Sequence, residues 1–287
     1  MTGDSATSSK PVIVYSADSQ VLHVGDVLRN MLHGAVRSNY LAYRLVKRDI
    51  KSEYSKAAFG MVWDLLDPLI FAAIFYALMQ LRVINTGEMG MPYATFVTFG
   101  VLLYATFVDA VLLPTRIFTR SKGLLQHVNV APEAHILAVF YRILFNGAFR
   151  VAVMLGVALA LGDYSLPGFA GFVAAYPIFV LTSMSIGVLF APFNAVYADL
   201  SRMTEILLRP LRYICPVMWI LPVTESYGWL YTLNPPAVFI DNLRALATTG
   251  AFSNPVPLAA WASAGLVVFV AGWFVFHVSV PVLAERA

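Results

Sequence analysis

Arg202, Glu205, Arg209 and Arg212 recur every three or four positions in an otherwise apolar stretch. At about 100° per residue they fall within an arc of roughly 80° and form one charged stripe on a helix. Three arginines to one glutamate exceed what self-neutralisation requires. The chemistry open to such a stripe is attraction of an anion, a phosphate or diphosphate above all, by the guanidinium fork; its other reading is a ladder of ion pairs in hydrated protein. A second basic cluster, Arg44, Lys47, Arg48, Lys51 and Lys56, precedes the first long apolar run. It suits the same kind of anion, and equally the positive charge that holds a segment on the cytoplasmic side of a membrane. Asp109 and Arg150 lie in the middle of two apolar runs, where ionisable groups are expensive. Antiparallel neighbours would bring them to similar depth, which reads as an ion pair, with a proton or sodium relay as the alternative. Asp64 and Asp67, three apart on one helix face, are satisfied by interfacial hydration or a helix amino-terminal dipole. The spacing of His127, Glu133 and His135 matches no zinc pattern. Nowhere does G-x-x-x-x-G-K-[ST] occur, so if ATP drives this chain, a partner must bind the nucleotide.

These residues are set in a chain that is 59% hydrophobic and 12% charged, with mean hydropathy +0.73. A soluble domain carries about twice that share of charge, so the composition is that of an all-α polytopic membrane protein. A net charge of +3 is too small to argue for nucleic acid, and the one cysteine, Cys215, excludes an intrachain disulfide. Residues 1–22 are polar and are expected to form a cytoplasmic tail. Residues 23–56 are expected to contain an amphipathic helix lying on the inner membrane surface, its basic face toward anionic headgroups.

From residue 57 to 287 the apolar runs predict six transmembrane helices, at 57–81, 93–118, 134–161, 168–197, 198–221 and 258–280, each near the 20 or so residues that a bilayer requires. The fifth is broken by Pro210 and Pro216. Residues 224–257 are too polar to span, yet 227–231 and 237–247 are apolar enough for re-entrant outer helices, provided protein buries their backbone. With both termini inside, 13 of the 19 Lys and Arg fall in inner segments and two, Arg82 and Arg244, in outer ones; the asymmetry fixes the expected orientation. The inner loop through Gln126, His127, Val128, Asn129, Val130, Ala131, Pro132, Glu133 and His135 is where an ATPase partner would dock; its other reading is an ordinary loop. Tyr104, Phe107, Tyr213 and Trp219 are candidates for lining a conduit, because sugar C–H faces stack on aromatic rings without fixed hydrogen bonds. Core or lipid-facing positions are the ordinary use of such rings.

Three stretches carry a resemblance. Arg48-Asp49-Ile50-Lys51 followed by Gly60, Trp63 and Pro68, then Ile206 to Trp219, then Leu233-Asn234-Pro235 to Arg244, resemble in order the permease subunit of ATP-binding-cassette exporters for capsular polysaccharide, O-antigen and teichoic acid. The resemblance covers residues 44 to 250 and implies a bacterial inner-membrane protein. It implies as partners a second copy of the chain, two ATPase subunits that bind ATP and Mg, membrane lipids, and a lipid-linked polysaccharide as cargo; the chain itself would hold no cofactor. Two other functions stay open: an ion-coupled flippase of lipid-linked oligosaccharide, and a membrane glycosyltransferase on polyprenyl carriers. Short loops without Asp-x-Asp weigh against the second, and the lack of a visible internal repeat against the first.

Overall fold

The computed structural model describes residues 24–54, 60–84, 90–119, 132–220 and 228–286, and these are helical nearly throughout. The helices are α1 (Val24–Tyr54), α2 (Gly60–Gln80), α3 (Tyr93–Thr115), α4 (Pro132–Leu161), α5 (Leu166–Val196), α6 (Asp199–Leu211), α7 (Gly228–Thr232), α8 (Pro235–Thr249) and α9 (Pro255–Arg286). Their starts follow local chemistry. Pro132, Pro235 and Pro255 open α4, α8 and α9, where a missing N–H costs nothing. Ser165 caps α5 by accepting a hydrogen bond from the Gly168 N–H at 3.3 Å. Gly250, at φ 83°, ends α8 in the left-handed conformation that glycine adopts freely.

Helix α5 is the centre of the bundle and packs against α3, α4, α8 and α9. Along one of its faces Phe169, Phe172, Tyr176 and Phe179 follow one another with ring centroids 5.3, 5.9 and 6.2 Å apart, and Phe99 of α3 and Phe239 of α8 continue the row. Close approach of α5 and α3 depends on Gly187: a Cβ there would lie 2.2 Å from the carbonyl oxygen of Val111. Small residues at such crossings let helix backbones meet where lipid supplies no hydrophobic drive.

Among the described residues, four helices are long and apolar enough to cross a membrane: α3, α4, α5 and α9 as far as Val280. Helix α2 adds a shorter apolar stretch, Leu66–Gln80. The fifth expected span is not one continuous helix. Residues 199–211 form a 13-residue helix, Arg212–Ile214 make one tight turn, and at Cys215 the backbone is extended. Pro210 lies in the last turn of the helix, and Pro216 follows the extended Cys215; neither can supply the N–H that a continuous helix through this segment would need. Only Thr204 and Leu208 of α6 are buried, as suits an amphipathic helix on the bundle's flank. Short helices do occupy the two expected re-entrant stretches, as α7 and α8.

Residues 24–54, within the stretch where an amphipathic helix is expected, form α1, which has three faces rather than two. Ala42, Leu45 and Val46 pack on Ala134 and Ala138 of α4, and Met31 is also buried. Leu32, Val36, Tyr40 and Tyr43 form an exposed apolar row. Arg44, Lys47, Arg48 and Lys51 are exposed as well. Lys56 and the expected 1–22 tail lie outside the described residues.

Candidate functional site

A cavity of about 450 Å³ opens between α2, α3 and α4 and is closed on its remaining side by Arg212 and Val217. Its volume is in the range of small-molecule sites. Polar residues on its walls come at helical intervals: Asp67 from α2; Tyr104, Asp109 and Arg116 from α3; Arg142, Asn146 and Arg150 from α4. Trp63 and Asp67, both exposed, stand on its rim. Four arginines against two aspartates leave the lining with an excess of positive charge.

The arginines are held in different ways. Arg150, buried to 6% side-chain exposure, donates to Asp109 at 2.6 Å and to Thr106 at 3.2 Å. Thr106 in turn shares a hydrogen bond with the Tyr176 hydroxyl at 2.7 Å. The ion pair expected from the positions of Asp109 and Arg150 is therefore present, and a hydroxyl network ties it to α5. Arg116 donates to Glu205 at 2.8 Å. Arg212 has no carboxylate partner among the described residues; its guanidinium lies over the rings of Phe71 at 4.9 Å and Tyr104 at 6.0 Å. Tyr104 also donates its hydroxyl to the Leu208 carbonyl, which fixes the end of α6 just before Arg212.

The charged stripe is thus divided. Arg209 is absent from the cavity lining and pairs with Glu205 at 2.9 Å while its side chain stays 71% exposed, so it belongs to a surface ladder that α3 completes through Arg116. Arg202 is exposed. Hydrogen bonds from Arg209, then from Arg116, hold the Glu205 carboxyl below the usual carboxylate range. Arg212, in the turn beyond α6, is the arginine that reaches the cavity.

The aromatic candidates also separate. Tyr104 lines the cavity, whereas Phe107 is buried in the core. Tyr213 and Trp219 stack on one another with centroids 6.1 Å apart, away from the cavity lining. Of the basic cluster on α1, Arg48 pairs with Asp49 at 2.8 Å and lines a pocket of about 50 Å³ together with Leu113 and Arg142. Those two residues also line the main cavity, so the small pocket adjoins it on the side of α1. Arg44 lies over the Tyr40 ring.

The expected ATPase-docking residues Gln126, His127, Val128, Asn129, Val130 and Ala131 lie outside the described residues. Pro132 opens α4, but Glu133 and His135 are buried, at 2% and 4% exposure, and so are not on a docking surface. Glu133 accepts from Nδ1 of His277 on α9 at 2.5 Å. A Cβ at Gly34 of α1 would lie 3.0 Å from the same carboxyl group. Three helices therefore meet at Glu133. Sequence reasoning left Arg142, Asn146 and Arg116 out of the site; the spacing of Arg142, Asn146 and Arg150 at i, i+4 and i+8 was the available signal, since it places all three on one face of α4.

These helices and this cavity define a polytopic α-helical membrane protein with a cationic cleft. No family model matches the chain. Over 239 residues it is 21% identical to the O-antigen export system permease protein RfbA of Klebsiella pneumoniae, a match that covers 81% of this chain and 89% of that protein. Over 234 residues it is 24% identical to the polysialic acid transport protein KpsM of Escherichia coli, covering 79% and 89%. The chain is a distant homologue of permeases of ABC-2 polysaccharide exporters.

Proposed function

We propose that this chain is the transmembrane subunit of an ATP-driven exporter that carries a lipid-linked polysaccharide, of O-antigen or capsule type, across the bacterial inner membrane. Two copies would enclose the path above two ATP-binding-cassette subunits, which bind ATP and Mg, and both termini would be cytoplasmic. The distant homology supports the transport class. The observation that carries the reading is the cationic cavity, and above all Arg212 within it.

A lipid-linked glycan presents an anionic phosphate or diphosphate between an apolar tail and a hydroxyl-rich polymer. Such a head is drawn toward positive charge, first by Arg44, Lys47, Arg48 and Lys51 on α1 and then, past the small pocket that Arg48 and Arg142 share, into the cavity. Within it Arg150 is committed to Asp109 and Arg116 to Glu205. Arg212 is held by ring faces, which orient a guanidinium without cancelling its charge, and is placed to bind the anion. Hydrolysis in the partner subunits would then move the occupied complex. Asp109 already has a buried partner, which favours a structural pair over the relay that an ion-coupled flippase requires.

Two measurements test this. The tagged chain, drawn from native membranes, is expected to bring a nucleotide-binding subunit with it, and its isolation without one refutes the reading. In vesicles containing the complex and the lipid-linked glycan, Arg212→Gln is expected to lower export by about tenfold or more, as for loss of a charge-assisted contact, while folded yield is kept. Export at the wild-type rate by this variant removes Arg212 from the path.

A further inference from the structure

A second cavity, of about 240 Å³, approaches the first from the far side of a single strand of chain. Its walls include Met91, Phe96, Pro216, Tyr231, Asp241 and Asn254. The strand is Cys215–Met218, all four residues of which are buried. The backbone at Cys215 is extended, φ −104° and ψ 154°, and the chain then turns tightly about Pro216, the Val217 N–H donating to the Cys215 carbonyl at 2.7 Å. Across this turn Val217 lines the first cavity, whereas its neighbour Pro216 lines the second. Helix α3 is divided at the same level, with Val101 facing the first cavity and Phe96 the second, about 7.5 Å apart along the axis at 1.5 Å per residue.

Side chains reaching in from elsewhere hold this strand in place. Arg244 donates to the Pro216 carbonyl at 2.9 Å, Tyr93 to the Met218 carbonyl at 2.9 Å, and Asn234 to the Ile214 carbonyl at 3.1 Å. Gly100 of α3 makes room for it, since a Cβ there would lie 2.5 Å from the Val217 carbonyl oxygen. A strand fixed by a few side-chain bonds can open locally, whereas a helix within the bundle would have to surrender its whole ladder.

The two cavities differ in chemistry. In the second, the one guanidinium is spent: Arg244 donates to Asp241 at 3.3 Å and to Pro216, and stacks on the Phe96 ring at 3.7 Å. Beside it the Tyr231 hydroxyl, the Asp241 carboxylate and the Asn254 amide form a hydrogen-bonded chain, Tyr231 donating to Asp241 at 3.1 Å and Asn254 to Tyr231 at 3.4 Å, next to the apolar Met91 and Ile220. That mixture of donors, acceptors and apolar wall suits the hydroxyls and C–H faces of a sugar rather than a phosphate.

We propose that the second cavity is a further station of the same path, taking a sugar unit of the cargo, and that Cys215–Met218 is the partition that withdraws to join it to the arginine-lined cavity. This rests on the export reading. Cys215, the chain's single cysteine and fully buried, reports on the partition directly. In the complete transporter in vesicles, labelling of Cys215 by N-ethylmaleimide, read by mass spectrometry, is expected to be slow at rest and at least about tenfold faster during ATP turnover with cargo, as local opening requires. Tyr93→Phe, which removes only the hydroxyl that holds Met218, should speed labelling at rest, and Arg244→Gln should do so more strongly if it folds. Asn254→Leu, at an exposed position of the second cavity, should lower glycan export several-fold. A complex that hydrolyses ATP and exports while Cys215 stays protected, or that labels equally fast at rest, overturns the partition; wild-type export by Asn254→Leu overturns the sugar station. Absence of any export refutes the transport reading itself, and the partition falls with it.

Discussion

Replacing Asp109 with asparagine tests an ion pair enclosed within the bundle. Arg150 is 6% exposed and Asp109 30% exposed, so the two partners do not lose equally when separated. Removing one member of a buried ion pair costs about 3–5 kcal/mol when the other is left in apolar surroundings. In Asp109→Asn the guanidinium keeps Thr106 and an amide oxygen within reach, which reduces the expected loss to about 2–3 kcal/mol. In Arg150→Gln the carboxylate is left facing the cavity, where water can reach it, and the loss should be smaller, about 1–2 kcal/mol. At roughly 2–4 °C per kcal/mol for a chain of this size, Asp109→Asn lowers Tm by about 4–12 °C. Thermal unfolding of the purified variants in detergent measures both losses. The exchanged pair, Asp109→Arg with Arg150→Asp, should recover part of the loss and show a coupling above about 1 kcal/mol in the double-mutant cycle. If Asp109→Asn unfolds within about 0.5 kcal/mol of wild type and yet transport stops, the pair is a relay and the structural argument is wrong.

Two further outcomes are expected. Glu205 has its carboxyl held down by Arg209 and Arg116, so the bridge between α3 and α6 contributes stability at pH values above the ordinary carboxylate pKa and loses it as pH falls through the depressed folded value. Acid unfolding followed from pH 6 down to about pH 3 should therefore lose part of its slope in Glu205→Gln, and an unchanged profile refutes the bridge. Glu133→Ala leaves His277 without its acceptor and opens space against Gly34; a loss of about 1–3 kcal/mol is expected, with Glu133→Gln recovering some of it. Equal stability of all three proteins would show that the carboxylate holds nothing.

Much of this architecture is legible in the residues because lipid imposes simple demands. Runs of apolar residues long enough to cross identify α3, α4, α5 and α9, and the expense of charge at mid-span identifies Asp109 and Arg150 as partners. The stretch 198–221 was harder to read, since Pro210 and Pro216 occur in kinked spans and at helix ends alike. In the fold the segment is a 13-residue helix that ends one residue past Pro210, then a tight turn and the extended Cys215. Aromatic residues gave no guide to the path: Tyr104 and Phe107 sit three apart on α3, yet one lines the cavity and the other fills the core. Glu133 and His277 are 144 residues apart, and nothing local to either announces the other.

What distinguishes Arg212 is the nature of its support. Arg48, Arg116, Arg150, Arg209 and Arg244 each lie against a carboxylate, which fixes a guanidinium and neutralises it together. The Phe71 and Tyr104 rings fix Arg212 through their faces, and a ring face leaves the cation's charge uncancelled. An exporter needs a cation of that kind: one that attracts an anionic head into the cavity, yet forms no permanent pair and so does not have to be released from one before cargo binds. A contact of this strength also lets go. Were Phe71 a carboxylate, Arg212 would be a structural residue like Arg116 and Arg150, and the cavity would have less charge to offer.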